Sequence, residues 1–192
     1  MSPRTAKQNQ EIREQTRQQI VDAAFELFAN EGYAKTSISA VAKKAGISKG
    51  LIYHYFESKE SILEAIFDQL VEMGEEVSSF PEDFSAAEKI RQTLEKTFEF
   101  IENQASLGRL MISLALQPEA FSSLKSKLDK VQEAQMILYK EIMWDLGFEQ
   151  PELEAYQLGA LMDGILLGCV TMGEDYPLKE MKKKVMEEYV PD

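Results

Sequence analysis

Apolar residues recur at intervals of three and four positions along most of this chain, and this spacing constrains the fold more than any other feature. Glycine and proline fall at a few discrete places between such segments, and the alternating patterns typical of β-strands are nearly absent. Intervals of three and four residues place side chains on one face of an α-helix. The sequence therefore predicts an all-α protein.

Four helices are expected in the first 74 residues, after a polar and flexible segment over residues 1–10. The first covers about residues 11–30, and the fourth runs from about residue 58 to 74. Short second and third helices lie between them, bounded by hydroxyl residues that can cap a helix start and by glycines that can end one. These signals are Gly32, Thr36 or Ser37, Gly46, Ser48 and Ser58.

Longer helices follow, and they bring the expected total to about nine. Their predicted ranges are 85–103, 107–116, 120–147, 152–172 and 178–190. We expect residues 1–58 to form a small N-terminal module and residues 59–192 a larger helical domain, with the fourth helix shared between them.

The charge is unevenly distributed. The net charge is −12, yet residues 1–60 hold nine basic and seven acidic residues, a net charge of +2. The remainder carries a net charge of −14. Such asymmetry indicates a basic module that meets a polyanion.

Several classes of protein are disfavoured. A single cysteine, Cys169, excludes a disulfide framework and indicates a reducing compartment. The first ten residues contain no apolar core typical of a signal peptide, and the best apolar run, Leu158–Met172, has 15 residues and includes Asp163. We therefore expect a cytoplasmic protein without a membrane span.

Enzyme chemistry has little support. The chain has one histidine and one cysteine, far apart, and it lacks metal-ligand spacings and a glycine-rich phosphate loop. We predict that the protein is not an enzyme and needs no cofactor. A helical enzyme that uses only carboxylates and a helical interaction adaptor remain the alternatives.

The segment SKGLIYHYF, residues 48–56, combines a lysine, three aromatic rings and the histidine. Two short helices around a glycine turn are typical of a helix-turn-helix, whose second helix enters the major groove of DNA. In that position Lys49 can reach a phosphate or a guanine edge, and the polar aromatic residues can contact the backbone. Ile52 and Phe56 are expected to be core residues.

Residues 20–63 resemble the N-terminal domain of the TetR family of bacterial transcriptional regulators. The resemblance rests on FANEGYAKTSI (residues 28–38), on VAKKAGISKGLIYHYF (residues 41–56) and on the SKE that follows at residues 58–60. It implies a homodimeric repressor that binds a palindromic operator and is released by a small molecule. The DNA contacts carried over are Thr36, Ser37, Ser48, Lys49, Gly50, Tyr53, His54, Tyr55 and Lys59.

The helix predicted at 152–172 is apolar nearly all round, so it must be buried on most sides. Together with the last helix it suggests a four-helix interface between two subunits, as the family resemblance also implies. The alternative is a monomer with a central core helix. The residues proposed for the interface are Leu158, Leu161, Ile165, Gly168, Met181 and Val185.

A ligand pocket is suggested by polar residues that interrupt apolar stripes, because small-molecule sites are mostly apolar with a few polar groups. Gln135 interrupts one stripe, and Asp163 interrupts another. The alternative is a core that contains satisfied polar groups, in a regulator without a small-molecule ligand. The candidate lining residues are Phe67, Phe98, Met111, Gln135, Met136, Tyr139, Met143 and Asp163.

Overall fold

The computed structural model describes residues 6–77, 79–115 and 124–191, and within these ranges the protein is helical with no strand. Nine α-helices and one turn of 3₁₀ helix, Gly173–Asp175, are present in the described residues. The α-helices are α1 (Ala6–Glu31), α2 (Ile38–Lys44), α3 (Lys49–Ile52), α4 (Lys59–Val77), α5 (Ala86–Asn103), α6 (Ala105–Ala115), α7 (Lys125–Asp145), α8 (Pro151–Met172) and α9 (Leu178–Tyr189).

The predicted fold class is confirmed, and the helix ends differ in detail. α1 begins at Ala6, five residues before its predicted start. Residues 6–11 are good helix formers except for Asn9, but the apolar periodicity starts only at Ile20, so the pattern could not reveal the earlier start. The predicted start of the helix at 120–147 lies outside the described residues, as do the first five residues of the flexible segment.

The chain divides into two compact units. The first comprises Met1–Leu70 with Ser113–Ser123, and the second comprises Val71–Ile112 with Leu124–Asp192. The predicted boundary between residues 58 and 59 therefore stays a prediction.

The first unit has a core built from the inward faces of its helices. Phe28 is fully buried and meets Tyr33 edge to face, with 5.0 Å between ring centroids. Val41 of α2, Ile52 of α3 and Ile62 of α4 are all 0% exposed. Because each short helix contributes at least one buried residue, the fold holds α2 and α3 in place although neither is long enough to be stable alone.

The second unit has its own core, formed by α5, α7, α8 and α9. Leu94 and Phe98 come from α5, Met143 from α7, Leu158 from α8 and Tyr189 from α9, and none is more than 2% exposed. The segment Pro151–Asp175 is long and apolar enough to cross a membrane by length and composition alone. Its buried residues, Ala155, Leu158, Met162 and Ile165, pack in this core, but only 22% of the apolar window is buried.

Candidate nucleic-acid interface

The turn between α2 and α3 is built from local signals in the sequence. Ser37 accepts a hydrogen bond from the Ala40 N–H at 3.1 Å, and Ser48 accepts one from the Leu51 N–H at 3.1 Å. Gly46, between the two helices, adopts φ +68°, a left-handed conformation that favours glycine. The hydroxyls proposed for DNA contact therefore also serve as helix caps.

The segment from Ser48 to Phe56 has one buried side and one exposed side. Ile52 is 0% exposed, Phe56 is 5% exposed and Tyr55 is half-buried. Backbone hydrogen bonds from His54, Tyr55 and Phe56 continue the helical path beyond α3. The exposed members are Ser48, Lys49, Gly50, Tyr53 and His54. A short, anchored segment thus presents a cation, a phenol and an imidazole together.

Two of the predicted DNA contacts, Thr36 and Lys59, do not belong to the exposed side of Ser48–Phe56. Thr36 is 3% exposed, and its hydroxyl donates to the Gly32 carbonyl at 2.9 Å. Lys59 is half-buried, and its Nζ donates to the carbonyls of Tyr33 at 2.8 Å and Thr36 at 3.1 Å. The structure therefore brings these two residues together at the α1–α2 turn, where both bind main-chain oxygens.

The sequence reasoning did not single out two exposed cations of the first unit as DNA contacts. The Arg17 guanidinium lies 5.2 Å from the centroid of the Phe56 ring, and Lys43 is exposed at the end of α2. Lys44 beside it forms an ion pair with Glu26. The net charge of residues 1–60 indicated a basic module, but it did not show which basic residues lie beside the segment. Only the contact of Arg17 with the Phe56 ring places this residue there.

The residues predicted for a ligand pocket are distributed over both units. Phe67 is buried in the first unit, whereas Phe98, Tyr139 and Met143 are buried together in the core of the second, with Met136 packed against them. Met111 is half-buried, and Asp163 is exposed. Two described clefts of about 480 and 490 Å³ both lie along α1, and none of these residues lines them.

Gln135 does interact with a predicted pocket residue. It is exposed, and its Nε2 donates to the Tyr139 hydroxyl at 3.1 Å. Burial raises the pKa of Tyr139. The pair is a polar group at the edge of an apolar core.

The residues predicted for a dimer interface fall into two groups. Leu158, Ile165 and Val185 are at most 1% exposed, so they are packed in the core of their own chain. Leu161 and Met181 are half-buried. Gly168 faces the Tyr176 ring, with which an added Cβ would overlap.

Exposed apolar side chains are found instead on α7 and on another side of α8. Ile137 and Trp144 of α7 are 53% and 71% exposed, and Leu153, Tyr156 and Leu167 of α8 are 59%, 55% and 47% exposed. We call these five residues the α7–α8 face.

The α7–α8 face belongs to two adjoining helices. Lys140 lies between Ile137 and Trp144 in sequence, and its ion pair with Glu152, at 3.2 Å, joins the exposed side of α7 to the start of α8 beside Leu153. Exposed apolar patches of this kind mark interaction surfaces.

Comparison with known proteins identifies the class. Residues 20–66 match the family described as "Bacterial regulatory proteins, tetR family". The fatty acid metabolism regulator protein of Bacillus subtilis is 29% identical over 140 residues, which cover 71% of this chain and 70% of the relative. The regulator BetI of Proteus mirabilis is 29% identical over 181 residues, covering 91% and 89%.

Solved structures agree with this result. The fatty acid degradation regulator FadR of Bacillus halodurans superposes with a TM-score of 0.75 at 23% identity, over 91% of this chain and 94% of the other. FadR of Bacillus subtilis, solved in complex with stearoyl-CoA, gives a TM-score of 0.71 at 26% identity, over 90% and 97%.

The fold, the helix-turn-helix and the comparisons define a helix-turn-helix transcriptional regulator. Residues 20–66 match the TetR family model, and the similar proteins named above are transcriptional regulators, which confirms the resemblance. The relatives are regulators and not enzymes, so the prediction that this protein is not an enzyme is also confirmed.

Proposed function

We propose that this regulator is a cytoplasmic homodimeric repressor, which binds a palindromic operator through two helix-turn-helix segments and is released by an apolar or amphipathic small molecule. The observation that carries the proposal is the exposed side of Ser48–Phe56 on a buried framework. The family match over residues 20–66 supports the same role.

The chemistry of the exposed segment suits double-stranded DNA. Lys49 supplies a cation for a phosphate or a guanine edge, and Tyr53 and His54 supply polar aromatic groups for the sugar-phosphate backbone. Gly50 has no side chain to hold the main chain away from the groove. Arg17 and Lys43 add two exposed cations to the same unit, although the whole chain is acidic.

Dimerisation is proposed through the α7–α8 face. A two-fold interface uses the same patch on both subunits, so each exposed apolar residue is buried twice in one assembly. The large aromatic residues Trp144 and Tyr156 are the types that dominate interface energetics. This proposal moves the interface from Leu158 and Ile165, which the core of the same chain already buries, to the opposite side of α8.

For the ligand, we propose a long-chain acyl-CoA thioester as the first candidate. The Bacillus subtilis relative has been solved with stearoyl-CoA. The second unit offers an apolar core with Phe98 and Met143 and, at its edge, the hydrogen-bonded pair of Gln135 and Tyr139. A regulator of the same fold without a small-molecule ligand is the alternative.

DNA binding is tested with a duplex selected from a random pool by the wild-type protein. Each phosphate neutralised contributes about 0.9 to the slope of log affinity against log salt, so Lys49→Ala should lower the slope of a dimer by about 2. Lys179→Ala is the matched control, since it removes one exposed cation from the second unit. Equal salt slopes for the Lys49 and Lys179 variants would contradict the proposal.

The ligand is tested by titrating stearoyl-CoA into the protein–DNA complex. We expect release of DNA by the wild type and a weaker response from Gln135→Leu, because the polar end of the site is lost. Gln132→Leu, which alters an exposed glutamine on the same helix, should respond normally. Failure of stearoyl-CoA to bind or to release DNA would favour the regulator without this ligand.

A further inference from the structure

Lys59, the first residue of α4, has its ammonium group occupied within the protein. Nζ donates to the carbonyl oxygens of Tyr33 at 2.8 Å and Thr36 at 3.1 Å. It also lies 4.2 Å from the centroid of the Tyr33 ring, in a cation–π contact. An ammonium has three N–H donors, and two of them are used by these main-chain oxygens.

The same turn is held by a second contact from α4. The Tyr33 hydroxyl donates to Oε1 of Glu60 at 3.1 Å. Hydrogen bonds, first from the Glu60 main chain and then from Ser58, with Tyr33 contributing less, hold the pKa of Glu60 below its ordinary value, so it accepts as a carboxylate at neutral pH. Lys59 thus contacts the main chain and the ring of Tyr33, and Glu60 accepts a hydrogen bond from the Tyr33 hydroxyl.

Tyr33 and Thr36 lie in the turn that leads from α1 into α2. Gly32 takes φ +88° at the end of α1, and the Thr36 N–H and hydroxyl both bind the Gly32 carbonyl. The chain from this turn to Lys59 contains α2, α3 and the exposed segment. The contacts of Lys59 therefore close a loop of sequence that contains the whole helix-turn-helix.

We propose that Lys59 is a positioning residue for DNA recognition and does not neutralise a phosphate. By joining the start of α4 to the α1–α2 turn, it holds the two ends of the helix-turn-helix in fixed relation. This inference rests on the proposed DNA binding and changes the role of one predicted contact. The rival possibility is that Lys59 leaves its carbonyl partners and pairs with a phosphate in the complex.

The two roles differ in their salt dependence. A phosphate contact adds to counterion release, so its loss lowers affinity for all sequences and flattens the salt slope. A positioning contact alters the geometry of base-edge contacts, so its loss lowers the preference for the operator over other DNA while the slope stays constant. Lys49, which is exposed on α3, provides the reference for the first behaviour.

The experiment measures affinity for the selected duplex and for a scrambled duplex across a salt series, with Lys49→Ala and Lys59→Ala. We expect Lys59→Ala to lose about tenfold in operator preference, equivalent to roughly 1.4 kcal/mol, with the wild-type salt slope. A slope lowered as in Lys49→Ala, or an unchanged operator preference, would overturn the inference.

Tyr33→Phe keeps the positioning role testable if Lys59→Ala does not fold. It retains the ring and the main-chain carbonyl that bind Lys59 but removes the hydroxyl bond to Glu60. We expect a smaller loss of operator preference with an unchanged slope, and full preference would count against the inference. Absence of salt-dependent DNA binding by the wild type would instead refute the proposed function.

Discussion

Two apolar residues of α8, two positions apart, allow the proposed interface to be separated from the core. Ile165 is 1% exposed and packs in the core of the second unit, whereas Leu167 is 47% exposed on the α7–α8 face. Ile165→Ala and Leu167→Ala remove similar numbers of methyl groups. The first should change the stability of the subunit, and the second should change the association of two subunits.

The expected magnitudes follow from burial. Truncation of a buried isoleucine costs about 2–5 kcal/mol of unfolding free energy, a large part of the roughly 5–15 kcal/mol available to a typical domain. Truncation at an exposed position changes subunit stability by less than about 0.5 kcal/mol.

The association of two subunits should instead depend on Leu167 and not on Ile165. A fully buried leucine contributes about 1.5–3 kcal/mol, so burial of the exposed half of Leu167 contributes about 1 kcal/mol for each subunit. Because a two-fold dimer buries it twice, Leu167→Ala should raise the dissociation constant about 30-fold, or roughly 2 kcal/mol.

Equilibrium sedimentation gives the dimer dissociation constant, and urea unfolding, performed at a concentration where each variant is monomeric, gives the subunit stability. Leu167→Asp should separate the subunits further, since it would place an unpaired carboxylate in an apolar interface. The reasoning is refuted if Leu167→Ala associates as tightly as the wild type. It is also refuted if Ile165→Ala and Leu167→Ala weaken association equally and have the same subunit stability.

Two further predictions concern subunit stability. Gly168→Ala should destabilise the subunit by about 1–3 kcal/mol, because the added Cβ would overlap the Tyr176 ring. Gly159→Ala, whose Cβ would meet no neighbouring atom within 4 Å, should stabilise the subunit by up to about 1 kcal/mol. Thermal unfolding compares the two variants, and equal effects would contradict the packing argument. Ser85→Ala removes the N-cap of α5 and should cost about 1 kcal/mol in urea unfolding at neutral pH. Hydrogen bonds from the Ser85 hydroxyl, and next from its main-chain N–H, hold the pKa of Glu88 below its ordinary value. The stability that these bonds contribute is therefore present above the pKa of Glu88 in the unfolded chain, and it is lost as the pH falls through the pKa in the folded protein. The difference in unfolding free energy between Ser85→Ala and the wild type should therefore narrow below about pH 4. A difference that does not depend on pH would count against the pairing of Ser85 with the Glu88 carboxylate.

The sequence alone determined the helical class and the helix-turn-helix, because these depend on contacts close along the chain. Ser37 and Ser48 were predicted as caps and do cap α2 and α3. Gly32 and Gly46 were predicted as stops, and both adopt positive φ. Each signal acts within one turn of helix, so it can be interpreted without knowledge of the tertiary structure.

Only the tertiary structure decided which side of α8 is buried and where the Lys59 ammonium lies. α8 is apolar on nearly every side, so periodicity could not distinguish Ile165, which the other helices bury, from Leu167, which they leave exposed. Lys59 is hydrogen-bonded to residues 23 and 26 positions away in sequence. Burial and partners of this kind depend on neighbours brought together by folding, and a pattern of residue types along the chain does not specify them.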